Sequence, residues 1–127
     1  MMERDDTPLR LQPPYYAVIF ASRRSDGDED AYQRTAARMV ELAAAVPGFL
    51  GAESARDAQG VGITVSYWRD LDAVKAWKQD SEHRIAQNLG RERWYEWYSL
   101  RIAKVERDYV FDHEDQGLTP AAVDSPA

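Results

Sequence analysis

The chain has 127 residues, 44% of them hydrophobic and 30% charged, which fits one ordinary soluble domain long enough to build its own core. A net charge of -6 supplies no basic field, and this argues against nucleic acid or an anionic membrane as partner. With no cysteine there is no disulfide, no thiolate nucleophile and no thiolate metal site. No apolar run approaches a bilayer span, and the opening MMERDDTPLR lacks an apolar secretory core, so a cytoplasmic protein is expected.

Residues 1–14 are polar and end in Pro13-Pro14; they read as a loose arm. Tyr15 to Ala21 is a continuous apolar run rich in β-branched and aromatic residues, which predicts a strand buried on both faces. Ser22 to Gly27 reads as a polar turn. Asp28, Glu29 and Asp30 then place three acids at a helix start, where they suit the macrodipole. Tyr32, Ala36, Met39, Ala43 and Val46 repeat every three to four residues as one apolar stripe, and Pro47-Gly48 stops the helix.

Phe49 to Arg56 predicts a second strand, and Asp57-Ala58-Gln59-Gly60 carries turn chemistry. In the third strand Val61, Ile63, Val65 and Tyr67 share one face, while Gly62, Thr64, Ser66 and Trp68 share the other. Asp70 suits the N-cap of a short helix in which Leu71, Val74 and Trp77 lie on one face. Asp80-Ser81-Glu82 caps a further helical piece through Leu89, ended by Gly90. Arg91 to Trp97 is ambiguous. Ser99 to Tyr109 predicts a last strand, with a parity shift between Ile102 and Ala103 that suggests a bulge or burial on both faces. The acidic, proline-containing stretch 112–127 reads as a loose tail, which leaves residues 15–111 as the folded domain.

Strand, helix, strand, strand, helix, strand leads to an α+β fold, the ferredoxin-like βαββαβ sandwich, with both helices on one face of a four-stranded antiparallel sheet. The uncovered face is apolar, because the first strand offers apolar side chains in both directions. A second copy related by a two-fold axis is expected to cover it.

PGFLG, then ITVSYW, then a tryptophan nine residues on (Trp77) resemble the antibiotic biosynthesis monooxygenase family over about Tyr15 to Tyr109. The resemblance implies a dimeric α+β barrel, that is, a homodimer. It also implies a monooxygenase acting on a flat, electron-rich, phenolic or quinol-like aromatic small molecule, with no cofactor. In such members the protein takes a proton from the substrate, and the anion then reacts with dioxygen itself. A branch of the family degrades haem, but its axial histidine corresponds to Gln87 here and its first-strand asparagine is absent. Where the quinone-forming members place an asparagine one turn before the tryptophan, this chain has Ala73.

The candidate catalytic residues are Trp77, which would stack on the substrate, and His83, which would accept a proton near neutral pH. Tyr32, Tyr67, Trp68 and Trp94 are the candidate substrate-binding side chains. Each has a plainer alternative. Trp77 can pack with Leu71 and Val74 against the sheet, His83 can be a helix-start histidine with a structural hydrogen bond, and Tyr32 can be core. Trp94-Tyr95-Glu96-Trp97-Tyr98 suits a flat ligand, but the core or a dimer interface is the more ordinary use of such a cluster. A non-catalytic dimer that binds a metabolite is the competing function. Two distant histidines without a thiol do not make a metal site, and no phosphate-cradling glycine loop is present.

Overall fold

In the computed structural model, which describes residues 7–27, 29–115 and 117–118, the chain folds as β1 (Tyr15–Arg24), α1 (Glu29–Ala45), β2 (Phe49–Arg56), β3 (Val61–Trp68), α2 (Leu71–Gln79), α3 (Ser81–Leu89) and β4 (Tyr95–Val105). The four strands form one antiparallel sheet in the order β2-β3-β1-β4. This is the ferredoxin-like α+β fold expected from the order of elements.

Local chemistry explains the boundaries. Glu29 and Asp30 sit in the first turn of α1; Asp28, the third expected acid, lies outside the described residues. Gly48 leaves the helix at φ 98°, and its carbonyl accepts a hydrogen bond of 2.7 Å from the Arg69 N–H. At the hairpin between β2 and β3, the Asp57 carboxylate accepts from the N–H groups of Gln59 and Val61, and Gly60 takes φ 91°. Asp70 caps α2 by accepting from the Ala73 N–H at 2.8 Å, and Asp80 caps α3 by accepting from Glu82 and His83.

Three expectations need correction. Strand β1 runs three residues beyond Ala21, because Ser22 to Arg24 still find partners on both neighbouring strands or the hairpin. Strand β4 spans Tyr95–Val105 rather than Ser99 to Tyr109. Its pairing with β1 is continuous through Ile102 and Ala103, and the register shift falls instead at Arg23/Arg24, opposite Tyr95 and Trp97. The helical piece ends at Leu89 with Gly90 as its C-cap, as expected. Gly90 stays helical at φ -60°, and the chain continues as one π-helical turn, Gly90–Trp94, that runs straight into β4. Leu71 is half exposed, so Ala73, Val74 and Trp77 make up the buried face of α2.

The register sorts the sheet into two faces. On the helix side lie Tyr16, Val18, Phe20 and Ser22 of β1, with Trp68, Ser66, Thr64 and Gly62 of β3 opposite them. The core is here: Val18, Ala43, Trp68, Ala73, Val74 and Trp77, with Tyr16, Met39, Leu42, Val46, Phe49 and Leu100 packed around them. On the other side lie Ile19, Ala21, Ile63, Val65 and Trp97, and the side chains of Ile63 and Trp97 are about half exposed. One end of this open face is covered. There the Tyr15 hydroxyl donates to Asp108 at 2.6 Å, and the Tyr67 hydroxyl donates to Glu53 at 2.7 Å. Leu9 lies against Gly51, and Arg10 approaches the buried Asp112 at 4.0 Å. A two-stranded ribbon, β5 (Phe111–Asp112) with β6 (Gly117–Leu118), follows. The remaining parts of the expected arm and tail, 1–6, 116 and 119–127, lie outside the described residues.

Gly48 gives a first test of how tightly the helices are held. A Cβ there would stand 2.7 Å from the Ala73 Cβ, at a φ that side chains rarely adopt. Gly48→Ala is expected to cost about 1–3 kcal/mol, read as a drop of several degrees in thermal melting. An unchanged melting temperature would show that the β2 entry and α2 are not packed as described.

Candidate functional site

The helix side carries two groups of rings. The first is built by α2 and the start of α3. Trp68, fully buried, donates its indole N–H to the Ser66 hydroxyl at 2.9 Å and meets Phe49 edge-on. Trp77 stacks beside Trp68, with ring centroids 6.1 Å apart and planes inclined by 25°. The His83 imidazole then lies on Trp77, centroid to centroid 4.3 Å. Asp80 makes this contact possible. It ends α2 and caps α3 in one residue, so the chain turns sharply and brings His83 back over the α2 tryptophan.

His83 Nδ1 is buried and has no hydrogen-bond partner, the one such side-chain atom among the described residues. An orphaned polar atom costs free energy unless something else satisfies it, so it needs an explanation. Burial holds the His83 pKa below the ordinary histidine value. The Asp80 carboxylate opposes that shift, and the Lys78 ammonium adds to it. The imidazole is therefore neutral at pH 7 and keeps a free acceptor.

Two phenols elsewhere on the sheet hold their protons more tightly than an ordinary tyrosine. Tyr95 is pushed well above the ordinary tyrosine value, chiefly by burial and then by its hydrogen bond to Tyr32, and Tyr67 is pushed up to about 12 by burial and Glu53. Both stay protonated.

The second group lies where β1, α1 and β4 meet. Tyr95 donates to the Tyr32 hydroxyl at 3.3 Å, and Trp94 meets the Tyr32 ring edge-on at 5.7 Å. Phe20 packs between Tyr95 and Tyr98 at 5.4 and 5.3 Å. The Arg24 guanidinium lies 3.5 Å above the Tyr32 ring and pairs with Glu29 at 3.0 Å. Beside this group, and sharing Trp94 with it, a cavity of about 310 Å3 opens between Gly27, Ala31, Arg93 and Trp94.

The structure thus brings Trp77, His83 and Trp68 together, and it brings Tyr32 and Trp94 together. It does not bring Tyr67 to either group, because adjacent strand residues point to opposite faces and Tyr67 lies on the open one with Tyr15. Trp68 is sealed in the core, where it supports Trp77 rather than presenting a surface. Among the described residues no three His, Cys, Asp or Glu side chains converge as a metal site.

This fold and ring geometry define a small α+β domain with two groups of aromatic rings on the helix side of its sheet. The family profile described as antibiotic biosynthesis monooxygenase matches residues 15–89, and the chain belongs to that family. It is similar to the uncharacterized protein YqjZ of Bacillus subtilis, 55% identical over 100 residues that cover 79% of this chain and 87% of that one. It is also similar to jasmonate monooxygenase ABM of Pyricularia oryzae, 29% identical over 71% of this chain but only 43% of that longer protein. Among solved structures, SnoaB, a cofactor-independent oxygenase from Streptomyces nogalater, superposes with a TM-score of 0.64 at 14% identity, covering 74% of this chain and 95% of that chain. At that identity the likeness is one of fold.

Sequence reasoning missed Arg24, Arg56, Ser22 and the Tyr95–Tyr32 hydroxyl pair. The available signal was Gly62, since a glycine inside a strand often marks a side chain crossing close above it.

Proposed function

We propose that this protein is a cofactor-independent monooxygenase that oxidises a flat, electron-rich phenol or quinol with dioxygen. The observation that carries this reading is the buried, unpartnered Nδ1 of a neutral His83 held against Trp77. A phenolic hydroxyl is the group that would satisfy it. The substrate ring packs at Trp77, and His83 accepts the phenolic proton. The electron-rich anion reduces dioxygen at a ring carbon. One oxygen atom becomes the new carbonyl oxygen, and the other leaves as water with two hydrogens from the substrate, so phenol plus O2 gives quinone plus water. The family and the named activities of its relatives support this reaction class.

The test is oxygen uptake on a panel of dihydroxy- and trihydroxy-aromatics, comparing wild type with Trp77→Phe and His83→Ala. Uptake in the wild type that falls in both variants supports the assignment. Equal rates in all three, or none above buffer, removes it. A second reading, a non-catalytic metabolite-binding module, is favoured by the near-complete burial of Trp68 and Trp77 and by Ala73 at the asparagine position. It predicts ligand binding without oxygen uptake.

The functional unit in this reading is a homodimer closed over the open sheet face. That face presents Ile19, Ala21, Ile63, Val65 and Trp97, and about 25 cal/mol per Å2 of buried apolar area drives such closure. Sedimentation at micromolar concentration should give a dimer for the wild type and a shift toward monomer for Ile63→Asp, which would bury an unpaired charge. A well-folded wild-type monomer would contradict the dimer.

A further inference from the structure

The open face of the sheet carries a row whose two ends bear opposite charges. Read across β2, β3, β1 and β4, the register runs Glu53–Val65–Ile19–Arg101. Glu53 and Arg101 lie on the two edge strands and are exposed, and the residues between them are apolar. The next row, Ala55–Ile63–Ala21–Ser99, is uncharged and leaves Ile63 half exposed. Glu53 accepts from the Tyr67 hydroxyl, and Arg101 donates to the Ser99 hydroxyl at 3.0 Å. Neither stands in an ion pair among the described residues. Arg23, on the same face, is already matched by Glu96 at 3.1 Å. Within one chain Glu53 and Arg101 are three strand spacings apart, about 14 Å, with Val65 and Ile19 between them.

We infer that these two residues pair between copies of the chain: Glu53 of each protomer meets Arg101 of the partner subunit, once at each edge of the closed face. The inference rests on the homodimer proposed above and adds its orientation and the residues that select it. Two sheets stacked on their open faces can be related by a two-fold axis that runs along the strands or across them. An axis along the strands sets β2 of one copy over β4 of the other and keeps this row facing itself, so opposite charges meet twice. An axis across the strands sets β2 over β2 and β4 over β4, so any charge contact joins like charges. Only the first arrangement makes the face self-complementary. Packed sheets stand about 10 Å apart, a gap that a glutamate and an arginine reaching from opposite sides fill together. Ile19, Val65, Ile63 and Ala21 then form the apolar centre, and the two charge pairs form its rim. Rim pairs add little to affinity, but they steer the encounter and penalise the wrong orientation, which an apolar centre alone does not.

The experiment measures self-association of the full chain by sedimentation equilibrium at low salt, with Glu53→Arg and Arg101→Glu made separately, combined in one chain, and mixed as two chains. Each single reversal puts two like-charge contacts into every homodimer, so its dissociation constant should rise by about tenfold or more. The Glu53→Arg chain carries cations at both edges of the row, and the Arg101→Glu chain carries anions at both. An equimolar mixture of the two should therefore recover dimers, seen by native mass spectrometry as heterodimers. The chain with both reversals should dimerise as the wild type does. Far-UV circular dichroism checks folding. If a reversal fails to fold, Glu53→Gln and Arg101→Gln decide: each should weaken the dimer, and the two together should weaken it no further than one. Folded single reversals that dimerise like the wild type, a mixture or doubly reversed chain that stays monomeric, or additive losses in the glutamine variants overturn the pairing. A wild-type monomer removes the dimer and the pairing with it, whereas a wild-type dimer indifferent to the reversals removes the pairing alone. Oxygen uptake decides the oxygenase reading separately.

Discussion

His83→Ala is expected to lower oxygen uptake on an accepted phenol by about 10²–10⁴-fold, the usual contribution of a positioned general base. The expectation rests on geometry and charge together. The ring sits on Trp77 with Nδ1 buried and unpartnered, and burial makes the neutral form the stable one. The pH dependence has a definite sign. The folded-state pKa is lowered from 6.5, so at pH 7 the imidazole is already free to accept, and the acid limb of the rate profile should lie below 6.5. The same shift links to stability. As pH falls below 6.5 the unfolded chain protonates first, so His83 subtracts stability through the window down to its folded pKa and leaves it unaffected above. His83→Ala should flatten both dependences. A wild-type acid limb centred above pH 7, or a variant as fast as the wild type, would assign the proton transfer elsewhere.

Trp68→Ala should be the most destabilising single substitution in the helix-side core. The side chain is fully buried, meets Phe49 at 5.2 Å and Trp77 at 6.1 Å, and donates to Ser66. Its removal leaves a cavity and an unsatisfied hydroxyl environment at a cost of about 3–5 kcal/mol, a large share of the roughly 5–15 kcal/mol that holds a domain together. Urea unfolding should show a clearly lower midpoint, with Trp68→Phe intermediate because it keeps the edge-on contact with Phe49 but not the indole N–H. A loss under 1 kcal/mol would mean that the sheet and α2 are not joined through this ring. Because Trp77 rests on Trp68, the same substitution should loosen the His83 contact and weaken activity even under conditions where the domain remains folded.

How far the sequence revealed this depended on how local each feature is. The Pro47-Gly48 stop, the Asp57–Gly60 turn and the Asp70 and Asp80 caps are decided by a few neighbouring residues, and all were legible. The order of elements then gave the sheet topology. Features set by pairing between distant strands were less visible. The start of β4 at Tyr95 depends on β1 continuing to Arg24, and the register shift there offsets Arg24 against Tyr95 and Arg23 against Trp97. The parity change at Ile102 looked like a bulge because β4 is an edge strand whose Ile102 and Ala103 are both exposed, so alternation carries no burial signal. Gly90 ends α3 as read, but the ambiguous stretch after it proves to be a π turn, Gly90–Trp94, because the Gly90 backbone stays right-handed. At the site, the Trp77–His83 pairing follows from a cap that lets six residues fold back. On the open face, the row joining Glu53 to Arg101 needs all four strands in register before it exists.

The account stands on His83 taking a proton from a bound phenol so that dioxygen can oxidise it, and labelled oxygen tests this most directly. Purified protein, incubated in the presence of a chelator with a phenolic substrate under 18O2, should give a product carrying one labelled oxygen atom and two fewer hydrogens, with the second label in water and the yield collapsing in His83→Ala. A product without label, or equal labelled product from the alanine variant, would contradict it.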